Sequence, residues 1–392
     1  MKNLPAGVVA LGLVSLFMDM SSEMIHALLP LYLTGTLGAS ALVVGLIEGI
    51  GQATAQIAKL FSGYLSDRFG RRKPLAVLGY GLGAVTKPIF ALAGSVGWIL
   101  AARTADRFGK GIRGAPRDAM VADMVPKAAL GAAYGLRQSM DSFGAFAGPL
   151  IAMALIGMWS VSIPMVFAVA VIPAVISVAV LVFVVREPVQ VGSGAPLVKM
   201  DFAAMAGLGR GFWRVIWLGI AITLARFSDA FLVLRAAEVG LSLFWIPMVL
   251  VVLNLVDTAM SWPVGVLADR IGKRGLLLAG LAALIAAQLV MGFGHGPAAI
   301  FCGVALWGAH MGLSQGLLSA MVAEAAPASL RGTAFGVFGL ATGVAVLAGN
   351  AAAGAVWVSF GSATVFGIGA SIAGLALVLG MMRSCQDTVV CR

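Results

Sequence analysis

Long apolar runs separated by short polar segments extend over the whole chain of 392 residues. Most runs are about 20 residues long, which is the length that an α-helix needs to cross the hydrocarbon core of a bilayer. The pattern predicts twelve membrane-spanning helices, at residues 6–33, 41–62, 74–93, 98–122, 131–156, 163–185, 213–234, 242–266, 275–293, 297–323, 332–356 and 361–383. The fold class predicted is therefore an all-α membrane protein with twelve transmembrane helices.

One polar segment is much longer than the other connections and contains both Gly and Pro, as linkers often do. It divides the chain into an N-terminal six-helix bundle at 1–185, a cytoplasmic linker at 186–212, and a C-terminal six-helix bundle at 213–392 that ends in a short cytoplasmic tail. Each half thus contains six of the predicted helices.

The two halves also repeat each other in sequence. The segment GYLSDRFGRR after the second predicted helix recurs as GVLADRIGKR after the eighth, 202 residues later, and AMVAD at 119–123 recurs as AMVAE at 320–324. Two echoes at nearly the same offset indicate an internal duplication, which is the usual architecture of secondary transporters.

Composition and charge agree with a location in a membrane. The chain is 60% hydrophobic and 11% charged, which is more apolar surface than one soluble core can hide. The basic residues that give a net charge of +10 lie mainly on alternate predicted loops, so they indicate cytoplasmic loops and cytoplasmic termini rather than a nucleic-acid partner. Arg235 is the exception to this pattern.

The repeated loop segment resembles the signature loop of the major facilitator superfamily. This resemblance implies alternating access in a bacterial inner membrane, with the loops acting as conformational latches through tight turns at glycines. The gating residues that it implies are Gly63, Asp67, Arg68, Gly70 and Arg71 in the first copy, and Gly265, Asp269, Arg270, Gly272 and Lys273 in the second.

Two further segments resemble a bacterial subgroup of that superfamily that includes nickel-resistance permeases. They are FMDMSSEMIHALLPLYL in the first predicted helix and DRFGKGIRGAPRDAMVAD in the fourth. On the fifth predicted helix, Gly144, Gly148 and Pro149 resemble the glycine-proline motif of antiporters, although small residues four apart also simply allow close helix packing.

Ionisable residues inside membrane helices are costly, so they must face a cavity or each other. On the first helix Asp19, Glu23 and His26 share one face, where carboxyl groups beside a histidine can bind and release a proton. Arg103 on the fourth helix occupies the position of an arginine that the family associates with proton coupling. We therefore predict that Asp19, Glu23 and Arg103 couple transport to protons.

Taken together, the charged residues inside the predicted spans, eight basic and seven acidic, nearly balance in sign, which implies that most of them are paired. Arg137 with Asp141 and Arg226 with Asp229 have the spacing of helical neighbours. The predicted solute-binding residues are His26, Asp106, Arg107, Lys110, Arg137, Asp141, Arg226, Asp229 and Gln315, whereas Arg113 and Arg117 are assigned to a cytoplasmic gate.

These features predict a secondary transporter that exports a small solute against protons. Efflux of a divalent cation, transport of an organic or phosphate-like anion, and a membrane sensor that transports nothing stay open as alternatives. The sequence contains no phosphate-binding loop, catalytic triad or metal-ligand spacing, so we expect no enzymatic activity, no cofactor and no bound metal. A monomer in the lipid bilayer is expected.

Overall fold

The computed structural model of the chain is helical throughout the residues that it describes, which are 5–69, 72–126, 129–187, 209–326 and 331–389. The first half contains α1 (Ala6–His26), α2 (Leu29–Leu31), a π-helical turn (Tyr32–Thr36), α3 (Ala41–Phe69), α4 (Lys73–Leu92), α5 (Val96–Asp123), α6 (Leu130–Trp159), α7 (Ile163–Val169), α8 (Val171–Ala179) and a second π-helical turn (Val180–Val184). The second half contains α9 (Arg210–Ala225), α10 (Ala230–Glu238), α11 (Met248–Ile271), α12 (Lys273–Phe293), α13 (Gly296–Ala325), α14 (Arg331–Phe360) and α15 (Ser362–Val389).

Every predicted span overlaps a helix, and ten helical segments within the described residues are long and apolar enough to cross a membrane. The charged helix α5 is not among these ten. The apolar part of α15, Ser362–Val378, is shorter than the others. The chain is therefore a multi-pass, all-helical membrane protein.

The predicted helix boundaries need five corrections. α3 and α11 continue beyond residues 62 and 266 to Phe69 and Ile271, so that Gly63 and Gly265 lie inside helices and not in tight turns. The first predicted helix is interrupted at 27–28, and the seventh at 226–229. The eighth begins only at Met248, directly after Pro247. An apolar run indicates which residues cross the membrane, but it does not indicate where the helix is interrupted within that run.

The chain divides into two compact units. Unit 1 comprises residues 1–39, 50–199 and 243–251, and unit 2 comprises residues 40–49, 200–242 and 252–392. Each unit thus includes the beginning of a helix whose remainder belongs to the other.

Helices pack in the same pairs within each unit. In unit 1, α1 packs on α6 and α8, and α4 packs on α5, α7 and α8. In unit 2, α9 packs on α14 and α15, and α12 packs on α13 and α15. When the helices are assigned to the predicted spans of each half, the first span packs on the fifth and sixth, and the third packs on the fourth and sixth, in both halves. The sequence duplication therefore has a counterpart in the packing.

The buried Arg235, which breaks the loop-charge pattern, closes the end of α12. Its guanidinium donates to the carbonyl oxygens of Met291 and Gly292 at 2.8 and 3.2 Å and to Ser362 Oγ at 3.1 Å, and it forms an ion pair with Glu238 at 3.1 Å. The last carbonyl groups of a helix lack intrahelical partners, and a cation near them is favourable. Arg235 is thus a helix cap, and it does not contradict the topology drawn from the other basic residues.

Candidate functional site

The charged stripe of α5 lies in the interior of unit 1. Arg103, Asp106, Arg107 and Arg113 are all buried, whereas Lys110 is exposed. These residues repeat every three or four positions, so one face of α5 meets the polar residues of the neighbouring helices. This arrangement explains how so many charges are accommodated in a membrane helix.

Two carboxyl groups meet at the contact between α1 and α6. The carboxyl groups of Asp19 and Asp141 lie within hydrogen-bonding range of each other. Arg113 Nη2 lies 3.6 Å from Asp19 Oδ1, and Arg117 Nη1 lies 3.7 Å from Asp141 Oδ1. Arg137 Nη1 lies 3.6 Å from Asp141 Oδ2, which confirms the predicted pair on α6.

Glu23, the second carboxyl group of the proton-coupling prediction, lies one turn further along α1. It is within electrostatic reach of Lys110, Arg107, Asp19 and Arg103. The structure therefore brings Asp19, Glu23 and Arg103 into one cluster, although their predicted roles stay predictions.

His26 ends α1 and contacts the arginine of α5. Arg103 Nη2 donates a hydrogen bond of 2.8 Å to His26 Nδ1. Because Arg is always charged and has no acceptor, His26 Nδ1 must be the unprotonated ring nitrogen in this contact. The imidazole is therefore in the tautomer that carries its proton on Nε2.

Asp106, predicted to bind the solute, forms a buried ion pair. Lys87 Nζ on α4 donates to Asp106 Oδ1 at 2.8 Å and to Ser22 Oγ on α1 at 3.0 Å. The sequence interpretation assigned no role to Lys87, although a lysine in the middle of an apolar run was a signal that it needs a partner. The pair joins α1, α4 and α5.

Two glycines of α6 bring α6 against the backbone of α1. A Cβ at Gly144 would lie 2.3 Å from the Leu16 carbonyl oxygen, and a Cβ at Gly148 would lie 2.5 Å from that of Met20. Side chains at these positions would hold the helices apart. The predicted glycine motif therefore serves at least as a packing surface, and it sets the distance between Asp19 and Asp141.

In unit 2 the polar residues gather at the break between α9 and α10. Gln288 Nε2 donates to the Ala225 carbonyl oxygen at 3.0 Å, and the Ser228 N–H donates to Asn350 Oδ1 at 2.7 Å. Backbone groups freed by a break inside a membrane need such partners. The break was not predicted, and neither were the roles of Gln288 and Asn350.

Asp229 stands at this break with charged neighbours from three segments. It lies within electrostatic reach of Arg226, Glu48 and Asp257. Arg226 and Asp229 lie on either side of the break and not on a continuous helix, so their predicted pairing as helical neighbours stays a prediction. Gln315 is exposed on α13, and nothing in the structure places it with this cluster.

The predicted gating residues are only partly within the described residues. Gly70 and Arg71 lie outside them, as do the side chains of Asp67, Arg68 and Asp269. Gly272 has φ +89°, which a glycine adopts easily, and it forms the turn between α11 and α12. Arg270 is exposed in the last turn of α11.

Matching ion pairs anchor the two loops. In unit 1 Arg72 Nη1 lies 3.2 Å from Asp123 Oδ2, and in unit 2 Lys273 pairs with Glu324. Asp123 and Glu324 are the acidic positions of the AMVAD and AMVAE echoes. In each unit the acidic echo position therefore pairs with a basic residue of the loop, although Lys273 aligns with Arg71 and not with Arg72.

No group of three or more His, Cys, Asp or Glu within the described residues is arranged to hold a metal ion. Within the described residues, neither the cluster around Asp19 and Asp141 nor the cluster around Asp229 therefore offers a divalent-cation site.

Comparison with known proteins gives one consistent result. The family model described as Major Facilitator Superfamily matches residues 11–346. MJ1317 of Methanocaldococcus jannaschii, described as an uncharacterized MFS-type transporter, is 30% identical over 367 residues, covering 91% of this chain and 89% of that protein. Rv2265 of Mycobacterium tuberculosis is 26% identical over 363 residues, covering 89% and 86% of the two chains.

Solved structures agree at the level of the fold. A crystal structure of a variant of the nucleoside transporter NupG superposes with a TM-score of 0.82 over 96% of this chain and 99% of that chain, at 13% identity. At this identity the likeness concerns the fold alone.

Proposed function

Because this chain belongs to the Major Facilitator Superfamily and is a membrane transporter, we propose that it moves a small solute by alternating access, coupled to protons. The proton carrier in this proposal is the pair Asp19 and Asp141. Two carboxyl groups within hydrogen-bonding range favour sharing one proton, because two adjacent negative charges repel each other. This contact is the observation that carries the proposal.

The surroundings of the pair support a change of protonation during transport. Arg113, Arg117 and Arg137 lie near its oxygens at 3.6–3.7 Å, which is longer than a tight ion pair. A small shift of α1 against α6 therefore alters the balance between a proton and an arginine at each carboxyl group. Glu23 of the sequence prediction remains a candidate for passing the proton on, and Arg103, which is always charged, remains a candidate for tuning the protonation of its neighbours.

The architecture in this proposal is twelve spans in two six-helix repeats. The repeated packing pairs and the repeated ion pair of the loops support it. The basic residues on alternate loops support cytoplasmic termini in a bacterial inner membrane. The charged α5 is the fourth span, held in the membrane by its partners on α1, α4 and α6.

The test uses protein in lipid vesicles that contain a pH-sensitive dye, with a panel of candidate solutes added outside. A transported, proton-coupled solute changes the internal pH, and the sign of the change tells whether proton and solute move together or in exchange, which tests the predicted exchange of solute against protons. We expect Asp19→Asn and Asp141→Asn to abolish the pH change, whereas Glu238→Gln, a matched change at the far end of unit 2, leaves it intact. Solute flux without a pH change would contradict proton coupling.

Infrared spectroscopy tests the shared proton without any solute. The carbonyl stretch of a protonated carboxyl group should be present in the wild type and lost in both Asp19→Asn and Asp141→Asn. Loss in neither variant would refute the carboxyl pair as proton carrier. The vesicle panel also decides the sensor alternative, since a protein that only senses shows no flux for any solute.

A further inference from the structure

Two arginines beside the carboxyl pair are shared with a third aspartate. Arg117 on α5 and Arg137 on α6 each lie near Asp141. Both also lie near Asp118, which is in the last two turns of α5 and whose side chain is 37% exposed. We propose that Asp118 is a positioning residue that competes with Asp141 for these arginines and thereby sets the pH at which the carboxyl pair takes up its proton. This inference rests on the proposed function, because it concerns the regulation of the same proton carrier.

The four side chains form a closed ring of ionic contacts within unit 1. Arg117 Nε donates a hydrogen bond of 3.0 Å to Asp118 Oδ1, and Arg117 Nη1 lies 3.7 Å from Asp141 Oδ1. Arg137 Nε lies 3.6 Å from Asp118 Oδ1, and Arg137 Nη1 lies 3.6 Å from Asp141 Oδ2. Each guanidinium group therefore reaches both carboxyl groups, with a different nitrogen atom for each.

The ring is tighter on the side of Asp118. Charge-assisted hydrogen bonds to a carboxylate are about 2.7–2.9 Å long, so the contact of Arg117 with Asp118 is close to this length and both contacts with Asp141 are longer. Asp141 Oδ1 and Arg137 Nη1 are buried and have no hydrogen-bond partner. The two guanidinium groups thus need to move by less than about 1 Å to bind Asp141 directly.

The hydrogen bonds that hold the other nitrogen atoms of the arginines go to uncharged groups. Arg117 Nη1 donates to Ser15 Oγ at 3.0 Å and to Tyr80 Oη at 3.5 Å. Arg137 Nη2 donates to Gln138 Oε1 at 2.7 Å. Hydrogen bonds between a cation and a neutral acceptor are weaker than those to a carboxylate. Asp118 therefore competes with Asp141 more strongly than these acceptors do.

The position of the arginines determines how easily Asp141 is protonated. A cation within about 4–6 Å of a carboxyl group stabilises its ionised form. When the arginines bind Asp118, Asp141 loses part of this stabilisation and shares a proton with Asp19 more readily. When the arginines bind Asp141 instead, its ionised form is favoured and the proton leaves.

Asp118 is also connected to the loop that precedes α4. Tyr134 on α6 donates a hydrogen bond of 2.8 Å to the backbone carbonyl of Asp118. The same tyrosine lies within electrostatic reach of Arg72 and Asp123, the ion pair of this loop. A movement of the loop, which the sequence predicts to be a gate, is therefore transmitted to the residue that holds the arginines.

Other charged groups face the carboxyl pair from α1 and α5. They are Glu23 on α1, and Lys110 and Arg113 on α5. α6 also packs on α7, whose sequence IPMVFAV contains no ionisable residue. These groups stay the same in every variant below, so that a change in the titration reports on Asp118 and the shared arginines.

The test is a titration of the full-length protein in lipid nanodiscs without any solute. Infrared spectroscopy follows the carbonyl stretch that is lost in Asp19→Asn and in Asp141→Asn, and the pH at its half-maximum is the midpoint. We expect Asp118→Asn to lower this midpoint by about one pH unit, because both arginines then bind Asp141. Asp118→Glu keeps the negative charge and should titrate close to the wild type.

Arg137→Gln gives a second measurement with the opposite sign. It removes a cation that lies 3.6 Å from Asp141 and should raise the midpoint by about one pH unit. A mere loosening of the structure would move the midpoints of Asp118→Asn and Arg137→Gln in the same direction. In the Arg137→Gln background, Asp118→Asn should have a smaller effect than in the wild type, because only Arg117 is left to be released.

Asp123→Asn is the matched control for the loss of a negative charge. It removes a carboxylate from the same end of α5, but the printed partner of Asp123 is Arg72 and not one of the shared arginines. The midpoint should stay nearly unchanged in this variant, since exposed charges at a distance are screened by salt.

The positioning role is refuted if Asp118→Asn leaves the midpoint unchanged or raises it, or if Asp123→Asn lowers it equally. The proton carrier survives each of these results, because the stretch is then present in the wild type and lost in Asp19→Asn and Asp141→Asn. A wild type that lacks the stretch at every pH would instead overturn the proton carrier and the positioning role together.

Discussion

Arg235 illustrates how one buried side chain can hold the end of a membrane helix. Its guanidinium donates to two carbonyl oxygens at the end of α12 and to Ser362, and pairs with Glu238. A lysine at this position would keep the charge, but its compact ammonium cannot span the same set of acceptors. The role therefore depends on the shape of the guanidinium as well as on its charge.

We expect Arg235→Lys to lower the free energy of unfolding by about 2–3 kcal/mol, because several carbonyl groups lose a charged donor. Thermal unfolding of the protein in detergent measures this loss. Arg214→Lys at an exposed position of α9 is the matched control and should change stability by less than about 0.5 kcal/mol. Equal effects of the two substitutions would show that the contacts of Arg235 contribute little.

The buried pair of Lys87 and Asp106 allows a second test with single residues. Lys87→Met leaves Asp106 buried without its partner and should destabilise the protein by about 3–5 kcal/mol. The double variant Lys87→Met with Asp106→Leu replaces both charges and should regain most of the stability, as measured by thermal unfolding. If the double variant is stable but transports nothing, the predicted contact of Asp106 with the solute is supported.

At the scale of elements, the contact of α1 with α6 sets the geometry of the carboxyl pair. Gly144 and Gly148 allow the two helices to approach within backbone contact, one turn or two from Asp141. Gly144→Ala should separate Asp19 from Asp141, and thereby weaken both the infrared signature of the shared proton and proton-coupled flux. Gly148 acts on the same contact, near Glu23.

Gly135 on the same helix provides the control, since a Cβ there meets no atom within 4 Å. Gly135→Ala should stabilise α6 by up to about 1 kcal/mol, because alanine favours a helix over glycine, without affecting flux. An equal loss of flux in Gly135→Ala would mean that the flexibility of α6, and not its approach to α1, matters for transport.

How well the sequence predicts a structural feature depends on whether the residues that form it are close together in the sequence. Each predicted span is helical, and the pair of Arg137 with Asp141 has the spacing of neighbouring turns, so both could be predicted. The break at 226–229 could not, because its free backbone groups are satisfied by Gln288 and Asn350, far away in sequence. The same holds for Lys87 with Asp106, whose meeting depends on how α4 packs on α5.

At the scale of the whole molecule, the duplication is visible in the sequence, in the packing pairs and in the ion pairs of the two loops. The pairs Arg72 with Asp123 and Lys273 with Glu324 are partly exposed, so each should contribute at most about 1 kcal/mol to stability. A small contribution to stability is compatible with the predicted gating role of the two loops, which stays a prediction.

Charge reversal tests this role. Glu324→Lys should reduce flux in vesicles while changing thermal stability little, because it removes the ion pair and places a second positive charge beside Lys273. The exchange of both charges, Lys273→Glu with Glu324→Lys, should restore flux. Failure of the double variant to recover would mean that the identity of the residues, and not the ion pair, is required.

The charged stripe of α5 also has a consequence for biosynthesis. Each Asp, Lys or Arg near the centre of a helix opposes insertion by about 2.5 to 3.5 kcal/mol, so α5 is a poor substrate for the translocon on its own. Its partners Asp19, His26 and Lys87 lie on helices that are synthesised earlier, whereas Asp141 emerges later. Because α1 and α4 are synthesised before α5, their polar side chains are already present in the membrane when α5 is inserted.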